Sequence, residues 1–189
     1  RGIVPQDWDV ATNAKPEEIK KVFPDSFYEN KFLTVTVHTG SKDEKLKEIE
    51  ITTYRSEAGY TDKRHPDEVK AVKTIEEDLS RRDFTINAIA LAENNKKTEV
   101  IDPFSGQEDL KKEIIRAVGN PEERFQEDAL RMMRVARFAV TLGQNWKIEE
   151  KTKLAVKKNA ALLKEISEER IRDEFNKIML SERAAQGIE

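Results

Sequence analysis

The sequence predicts an α+β fold, in which a strand-rich first half around a small sheet is followed by a helical second half. The opening order of strand, helix, strand, strand leaves α/β as the alternative. Three observations carry the expectation. The stretches "FLTVTVHTG" (32–40) and "LKEIEITTYR" (46–55) are rich in β-branched residues and alternate in polar and apolar character at every second position, the period of a strand. From Gln107 onward apolar residues recur at helical spacing, interrupted at "GNPEE" and "LGQNW". And 189 residues suffice for one large domain or two small ones, each with a buried core.

The elements follow in order. "DWDVAT" (7–12) is a short β-leaning run. "NAKPEEIKKVFP" (13–24) carries helix signals: Asn13 as cap, Pro16 near the first turn, Glu17 and Glu18 early, Pro24 as a stop. The two alternating stretches then read as a strand pair joined by the polar "SKDEK" loop. "SEAGYTDKRHPDEVK" (56–70) is a polar loop long enough to suggest a function of its own. "TIEEDLSRRDFTINAIAL" (74–91) reads as helix, and "TEVIDPF" (98–104) as a short strand closed by a turn.

Composition excludes several chemistries. Basic and acidic residues number 34 and 37, a formal net charge of −3, so a polyanion would have to be held by a local basic surface rather than by the overall field. The absence of cysteine removes disulfides and thiolate ligands, and two distant histidines, His38 and His65, make a zinc site improbable. Oxygen-ligated magnesium stays open. No run approaches the roughly 20 apolar residues that span a bilayer, and no signal-peptide core is present. The chain reads as soluble and cytoplasmic, and, starting without methionine, as a piece of a longer protein.

Three constellations carry chemistry. Asp7 and Asp9 are two apart, so on a strand both carboxylates share a face, a suitable magnesium pair; the plain alternative is loop polarity. Glu50, within "EIEITTYR", adds a third carboxylate if its strand neighbours the first; otherwise it is a solvent-facing strand residue. "RRDFTINA" sets Arg82, Asp83 and Asn87 within about a turn and a half of the expected helix. That array suits ribose and phosphates, or equally a surface salt-bridge lattice.

The third is "QEDALRMMRVARF" (126–138), where Asp128, Arg131, Arg134 and Arg137 recur every third residue on an otherwise apolar helix. At about 100° per residue they form a slanting stripe across the helix. Guanidinium forks suit phosphate oxygens and base edges, and an acceptor-only carboxylate beside a donor-only guanidinium could face the mixed edge of a base. The alternative is a ladder of ion pairs internal to the fold.

In this order, "DWDVAT", "EITTYR", "RRDFTINAIA", "IDPFSG" and "EDALRMMRVARF" resemble the class II tRNA nucleotidyltransferases, the CCA-adding enzymes, and the related bacterial poly(A) polymerases. The resemblance covers residues 1 to about 175. It implies a nucleotidyltransferase-superfamily head with a small mixed or antiparallel sheet and flanking helices (1–115), followed by an all-helical neck (116–189).

It further implies Mg2+ on Asp7 and Asp9 with Glu50 as a third catalytic carboxylate. Arg82 would hold the incoming nucleotide, Asp83 and Asn87 its ribose, and Asp128 and Arg131 would read CTP or ATP, with Arg134 and Arg137 as further nucleotide-binding arginines. The implied partners are CTP, ATP and the 3′ end of tRNA. Poly(A) or A-only addition, and a non-catalytic nucleotide- or RNA-binding module, are the competing functions. "AIAL" and "EDALRMMR" are closer to CCA-adding enzymes than to poly(A) polymerases, and "GYTDKRHPDEV" resembles the loop of enzymes that add the terminal A. The resemblance implies a Gly-Gly-x-Val-Arg-Asp segment just before "RGIVPQD" and body and tail domains after Glu189, both expected outside this sequence, and Leu33 stands where the resembled family often has glycine.

Overall fold

A computed structural model describes residues 8–29, 32–61, 66–94 and 97–188. The chain forms two compact units, Arg1–Glu57 with Glu68–Asp78, and Ala58–Asp67 with Leu79–Glu189.

The first unit is built on a four-stranded mixed sheet of order β1-β4-β3-β2, with β1 Asp9–Thr12, β2 Ser26–Glu29, β3 Thr34–His38 and β4 Glu48–Thr53. The expected pair β3/β4 is antiparallel, and β1 joins β4 in parallel. Strand β2, pairing antiparallel with β3, extends the sheet beyond the expected strands. Alternation does the sorting. Val35 and Val37 point to one face, where Ile19 of α1 (Pro16–Val22) and Ile51 complete a small core, while Thr36 and Glu50 point to the other.

Helix α1 is capped by Lys15, not Asn13. Proline is tolerated at the first helical position because its missing N–H would have no intrahelical partner there. Pro16 therefore sets the start, and Glu18 accepts the Lys15 N–H at 2.7 Å.

The 56–70 segment is not one long loop. Its ends belong to β5 (Arg55–Ala58) and β6 (Glu68–Ala71), which pair with each other. Residues 62–65, at the centre of the "GYTDKRHPDEV" expectation, lie outside the described residues.

The expected 74–91 helix is short. Helix α2 (Ile75–Ser80) ends before Arg82, and a turn, a 3₁₀ segment (Thr85–Asn87) and strand β7 (Ala90–Asn94) follow. The cause is local. Asp83 Oδ1 accepts the Phe84 N–H at 2.8 Å and Asn87 Nδ2 at 3.0 Å, offering the backbone a partner other than the helical carbonyl. Phe84, fully buried with extended dihedrals, bridges Ala117, and the Val118 N–H donates to the Asp83 carbonyl.

Strand β7 forms a hairpin with β8 (Lys97–Ile101). Helices α3 (Gly106–Lys112), α4 (Pro121–Glu127), α5 (Leu130–Thr141), α6 (Glu150–Asn159), α7 (Glu168–Met179) and α8 (Ala184–Ile188) make up most of the rest of the second unit. Within the helical half, β10 (Lys147–Ile148) adds a two-residue parallel pairing with β9 (Ile114–Ile115). The core of this unit joins Phe84, Ile115, Phe125, Leu130, Met132, Val135, Trp146, Ala155 and Ile166.

Candidate functional site

In the first unit the carboxylates are placed by strand register. Asp9 lies directly across from Glu50 in the β1/β4 ladder, and Glu50 across from Thr36 in the β4/β3 ladder. The condition set for Glu50, that its strand neighbour the first, is therefore met. Paired residues of adjacent strands share a face, so Asp9 and Glu50 stand together opposite the face that carries Val35 and Val37. Both are exposed. Asp7 lies outside the described residues. Among those described, no group of three potential metal ligands occurs. The donors that are present, exposed carboxylate oxygens on a rigid sheet, are of the kind magnesium takes.

In the second unit the motif residues form a network around α5. Asp83 accepts Arg134 through Oδ2, with both Nε and a terminal nitrogen at 2.6 Å, while Oδ1 holds Phe84 and Asn87. Asp83, Asn87 and Arg134 are thus one cluster. Thr85, between them in sequence, donates from its buried hydroxyl to buried Asp109 at 2.7 Å. Asp109 also takes Arg116 Nε at 2.9 Å, and this hydrogen bond, first among its causes, raises the Arg116 guanidinium pKa. Gly106 is required beside this turn. A Cβ there would sit 2.1 Å from the Thr85 carbonyl oxygen, and backbone cannot yield as a flexible side chain would. Arg82 is half-buried in the turn after α2.

Asp128 does not belong to the arginine helix. It is the extended C-cap of α4 (φ −133°, ψ 103°), and its Oδ1 accepts the Leu130 N–H of α5 at 3.0 Å. Nor do Asp128 and Arg131 bond to each other through their side chains. The Asp128 carboxylate takes the fork of Arg170, Nη2 to Oδ2 at 3.1 Å and Nη1 to Oδ1 at 3.4 Å. Arg131 donates to Glu127 Oε2 and to the Arg81 carbonyl, each at 3.1 Å.

The stripe is consequently a ladder of ion pairs: Arg131 with Glu127, Arg134 with Asp83, Arg137 with Glu174. Glu127 also meets Arg124. Arg137 Nε lies 3.0 Å from Glu174 Oε2, but the angle is not that of a hydrogen bond, and neither atom makes one. Burial, the largest cause, lowers the Arg137 guanidinium pKa; Glu174 opposes the shift and Arg134 adds to it. Phe138 offers its ring to both arginines, with the guanidinium carbons of Arg137 and Arg134 at 4.5 and 5.3 Å from its centroid. These partners do not exclude a nucleotide, since a guanidinium with five donors keeps some after one carboxylate is satisfied.

Four residues around this network were not singled out from sequence: Glu127, Phe138, Arg170 and Glu174. Glu127 had a signal, standing four residues before Arg131, the spacing of an ion pair on the single helix that the sequence suggests, although the two lie on successive helices. Arg170 and Glu174 share that spacing on α7, but nothing in the sequence aims them at residues about forty positions earlier.

Residues 2–116 match the family described as "Poly A polymerase head domain", and residues 145–189 match "Probable RNA and SrmB- binding site of polymerase A". The chain belongs to the poly(A) polymerase head-domain family. Its fold is the nucleotidyltransferase head seen in solved members. The chain is 49% identical over 184 residues to the CCA-adding enzyme of Lactobacillus helveticus, a span of 97% of this chain and 44% of that relative. The CCA-adding enzyme of Bacillus stearothermophilus in complex with CTP superposes with a TM-score of 0.82 at 40% identity, covering 98% of this chain and 42% of that one. A tRNA nucleotidyltransferase complexed with a primer tRNA and an incoming ATP analog gives a TM-score of 0.77 at 29% identity, covering 99% and 51%. The chain thus spans less than half the length of the curated relative. No helix among the described residues is long and apolar enough to cross a membrane.

Proposed function

We propose that the protein transfers CMP and AMP from CTP and ATP to the 3′ end of tRNA, adding CCA without a template, with residues 1–115 as its head and 116–189 as its neck. The observation that carries this reading is the β1/β4 register, which sets Asp9 beside Glu50 on one face of the sheet. The relatives' complexes with CTP, primer tRNA and an ATP analog support the choice of substrates.

Asp7 and Asp9 would hold the magnesium, with Glu50 as the neighbouring third carboxylate. When bound, the ion lowers the pKa of the tRNA 3′-hydroxyl and offsets charge as pyrophosphate leaves. The protein's part is placement. Arg82 holds the phosphates, and Asp83 and Asn87 hold the ribose from a turn that Thr85 and Asp109 fix. Asp128 accepts from a base edge while Arg131 donates to it, and Arg134 and Arg137 hold phosphate or brace the pocket. No covalent enzyme intermediate is needed.

The test offers the full-length protein three tRNAs, ending before the first C, the second C and the A, each with one labelled triphosphate. CMP on the first two and AMP on the third is the expected pattern. AMP added to all three, in runs, indicates poly(A) synthesis. Nucleotide binding without pyrophosphate release under any primer indicates a non-catalytic module.

A further inference from the structure

We propose that Arg170, on α7, determines nucleotide choice by fixing the carboxylate of Asp128, acting as a positioning residue that enforces rejection of the wrong base. The inference rests on the reading of Asp128 as a base-facing acceptor.

The placement of Arg170 is unusual for its helix. It occupies the third position of α7, after Ser167, Glu168 and Glu169. A cation there opposes the helix dipole, whose N-terminal end favours acids. Its compensating partner is Asp128, which lies 42 residues earlier in the chain and meets the fork oxygen for nitrogen. Both side chains are about four-fifths buried, at 21% and 18% exposure, where a charge pair is less screened than at the surface.

The geometry specifies what the contact does. A carboxylate on a single Cβ–Cγ bond can turn its plane, and Asp128 is held against turning from two sides: Oδ1 by the Leu130 N–H, both oxygens by Arg170. A carboxylate has about four lone-pair directions, of which these bonds take three. What remains is an acceptor of set direction. Cytosine and adenine offer an exocyclic amino group to such an acceptor, whereas uracil and guanine present a carbonyl oxygen in the corresponding place. Two acceptors facing each other repel, provided that the carboxylate cannot swing aside. Discrimination through an unfavourable contact needs rigidity more than affinity.

α7 repeats this arrangement one turn later. Glu174, four residues after Arg170, is buried against Arg137 and accepts Lys177 Nζ at 3.1 Å. The helix therefore engages the charged row at both ends, at Asp128 through a cation and at Arg137 through an anion.

The experiment measures the ratio of UTP to CTP use, and of GTP to ATP use, by the full-length protein with Arg170→Ala, Arg170→Lys, Asp128→Ala and the double variant Arg170→Ala/Asp128→Ala. Arg172→Ala, an exposed arginine of the same helix, is the control. Arg170→Ala should raise the UTP:CTP ratio about tenfold, the scale of one unmade polar contact. Arg170→Lys, a point charge without the planar fork that fixes both oxygens, should recover part of the selectivity. The double variant should be no less selective than Asp128→Ala alone, because Arg170 acts only through Asp128. Arg172→Ala should keep the wild-type ratio.

A ratio is unaffected by the fraction of protein that folds, so a merely structural role leaves it unchanged. An unchanged ratio in Arg170→Ala, or effects of the two substitutions that multiply, overturns the proposal. Equilibrium binding of CTP against UTP, measured on the same variants, separates this failure from failure of the proposed activity. Wild-type protein that adds no nucleotide but prefers CTP in binding contradicts only the activity. Wild-type protein that binds both alike contradicts the role of Arg170.

Discussion

The sheet of the first unit and the arginine helix of the second hold charge by opposite means. Asp9 and Glu50 are placed by backbone register and stand exposed. Arg131, Arg134 and Arg137 are placed by other side chains, each meeting a carboxylate, with Arg131 and Arg137 largely buried. A strand fixes the direction of a side chain whatever that side chain is, whereas a helix surface leaves a long guanidinium several rotamers, among which its partners select. On the sheet, charge should be separable from stability. Around α5 it should not.

The largest expected effect tests the sheet side of that contrast. Asp9→Asn with Glu50→Gln keeps shape and removes charge, so nucleotide incorporation should fall on the order of a thousandfold. Melting should move by no more than about 2 °C, as for an exposed substitution that leaves the ladder intact. Incorporation within tenfold of wild type would remove these carboxylates from the chemistry. A melting temperature lowered by many degrees would instead make them part of the fold.

The helix side is tested by Glu174→Gln. Removing the charge beneath Arg137 leaves a guanidinium at 15% side-chain exposure without its counter-ion, and breaking such a pair costs about 3 kcal/mol. Urea unfolding should show it. Replacing both partners by apolar residues of similar volume, Arg137→Met with Glu174→Leu, should restore most of that loss, because neither charge then needs burial. If the single variant is as stable as wild type, the ladder is incidental and the contrast between the two regions weakens.

Legibility in the sequence divides along the same line. The strands β3 and β4 and the arginine spacing were readable because period alone reveals them. The β1/β4 neighbourhood of Asp9 and Glu50 was readable only as a condition, since strand order is a property of the whole sheet. The helix expected over 74–91 failed at Asp83, whose carboxylate binds backbone and Asn87 locally, a competition that helical apolar spacing does not register. Asp128 falls within the expected helix because spacing of three does not distinguish a helical residue from the C-cap of the helix before it. Arg170 and Glu174 could not be found, because their meaning lies in contacts between distant helices.

A smaller effect concerns how closely the sheet controls its backbone. Leu33 has φ 55°, and its carbonyl accepts the Thr53 N–H at 3.0 Å at the start of the β3/β4 pair. A left-handed conformation costs a residue with a Cβ about 1–2 kcal/mol, and glycine returns roughly 0.5–1 kcal/mol of that through its freer unfolded chain. Leu33→Gly should therefore stabilise by about 0.5 kcal/mol in urea unfolding. A loss of stability would mean that the half-buried leucine side chain contributes more than the strain it imposes.

The smallest expected effect is a pH dependence at the far end of the same two strands. His38 closes β3 opposite Glu48, with Nδ1 2.8 Å from Asp25 Oδ1 and Nε2 3.7 Å from Glu48 Oε1. The hydrogen bond to Asp25, first among the causes, raises the imidazole pKa above its ordinary 6.5; desolvation opposes it, and the charges of Asp25 and Glu48 add to it. A group whose pKa is raised on folding binds its proton more tightly in the native state, so stability declines where the unfolded chain has released that proton and the native chain has not yet done so. The contribution is whole below pH 6.5 and fades as pH climbs through the raised native value. The site is exposed, so salt should weaken the effect. Urea midpoints measured from pH 5.5 to 8.5 for wild type and His38→Gln should differ in slope across neutrality, with the difference reduced at high salt. Parallel profiles would show that this ion pair, like many on exposed surfaces, contributes nothing to folding.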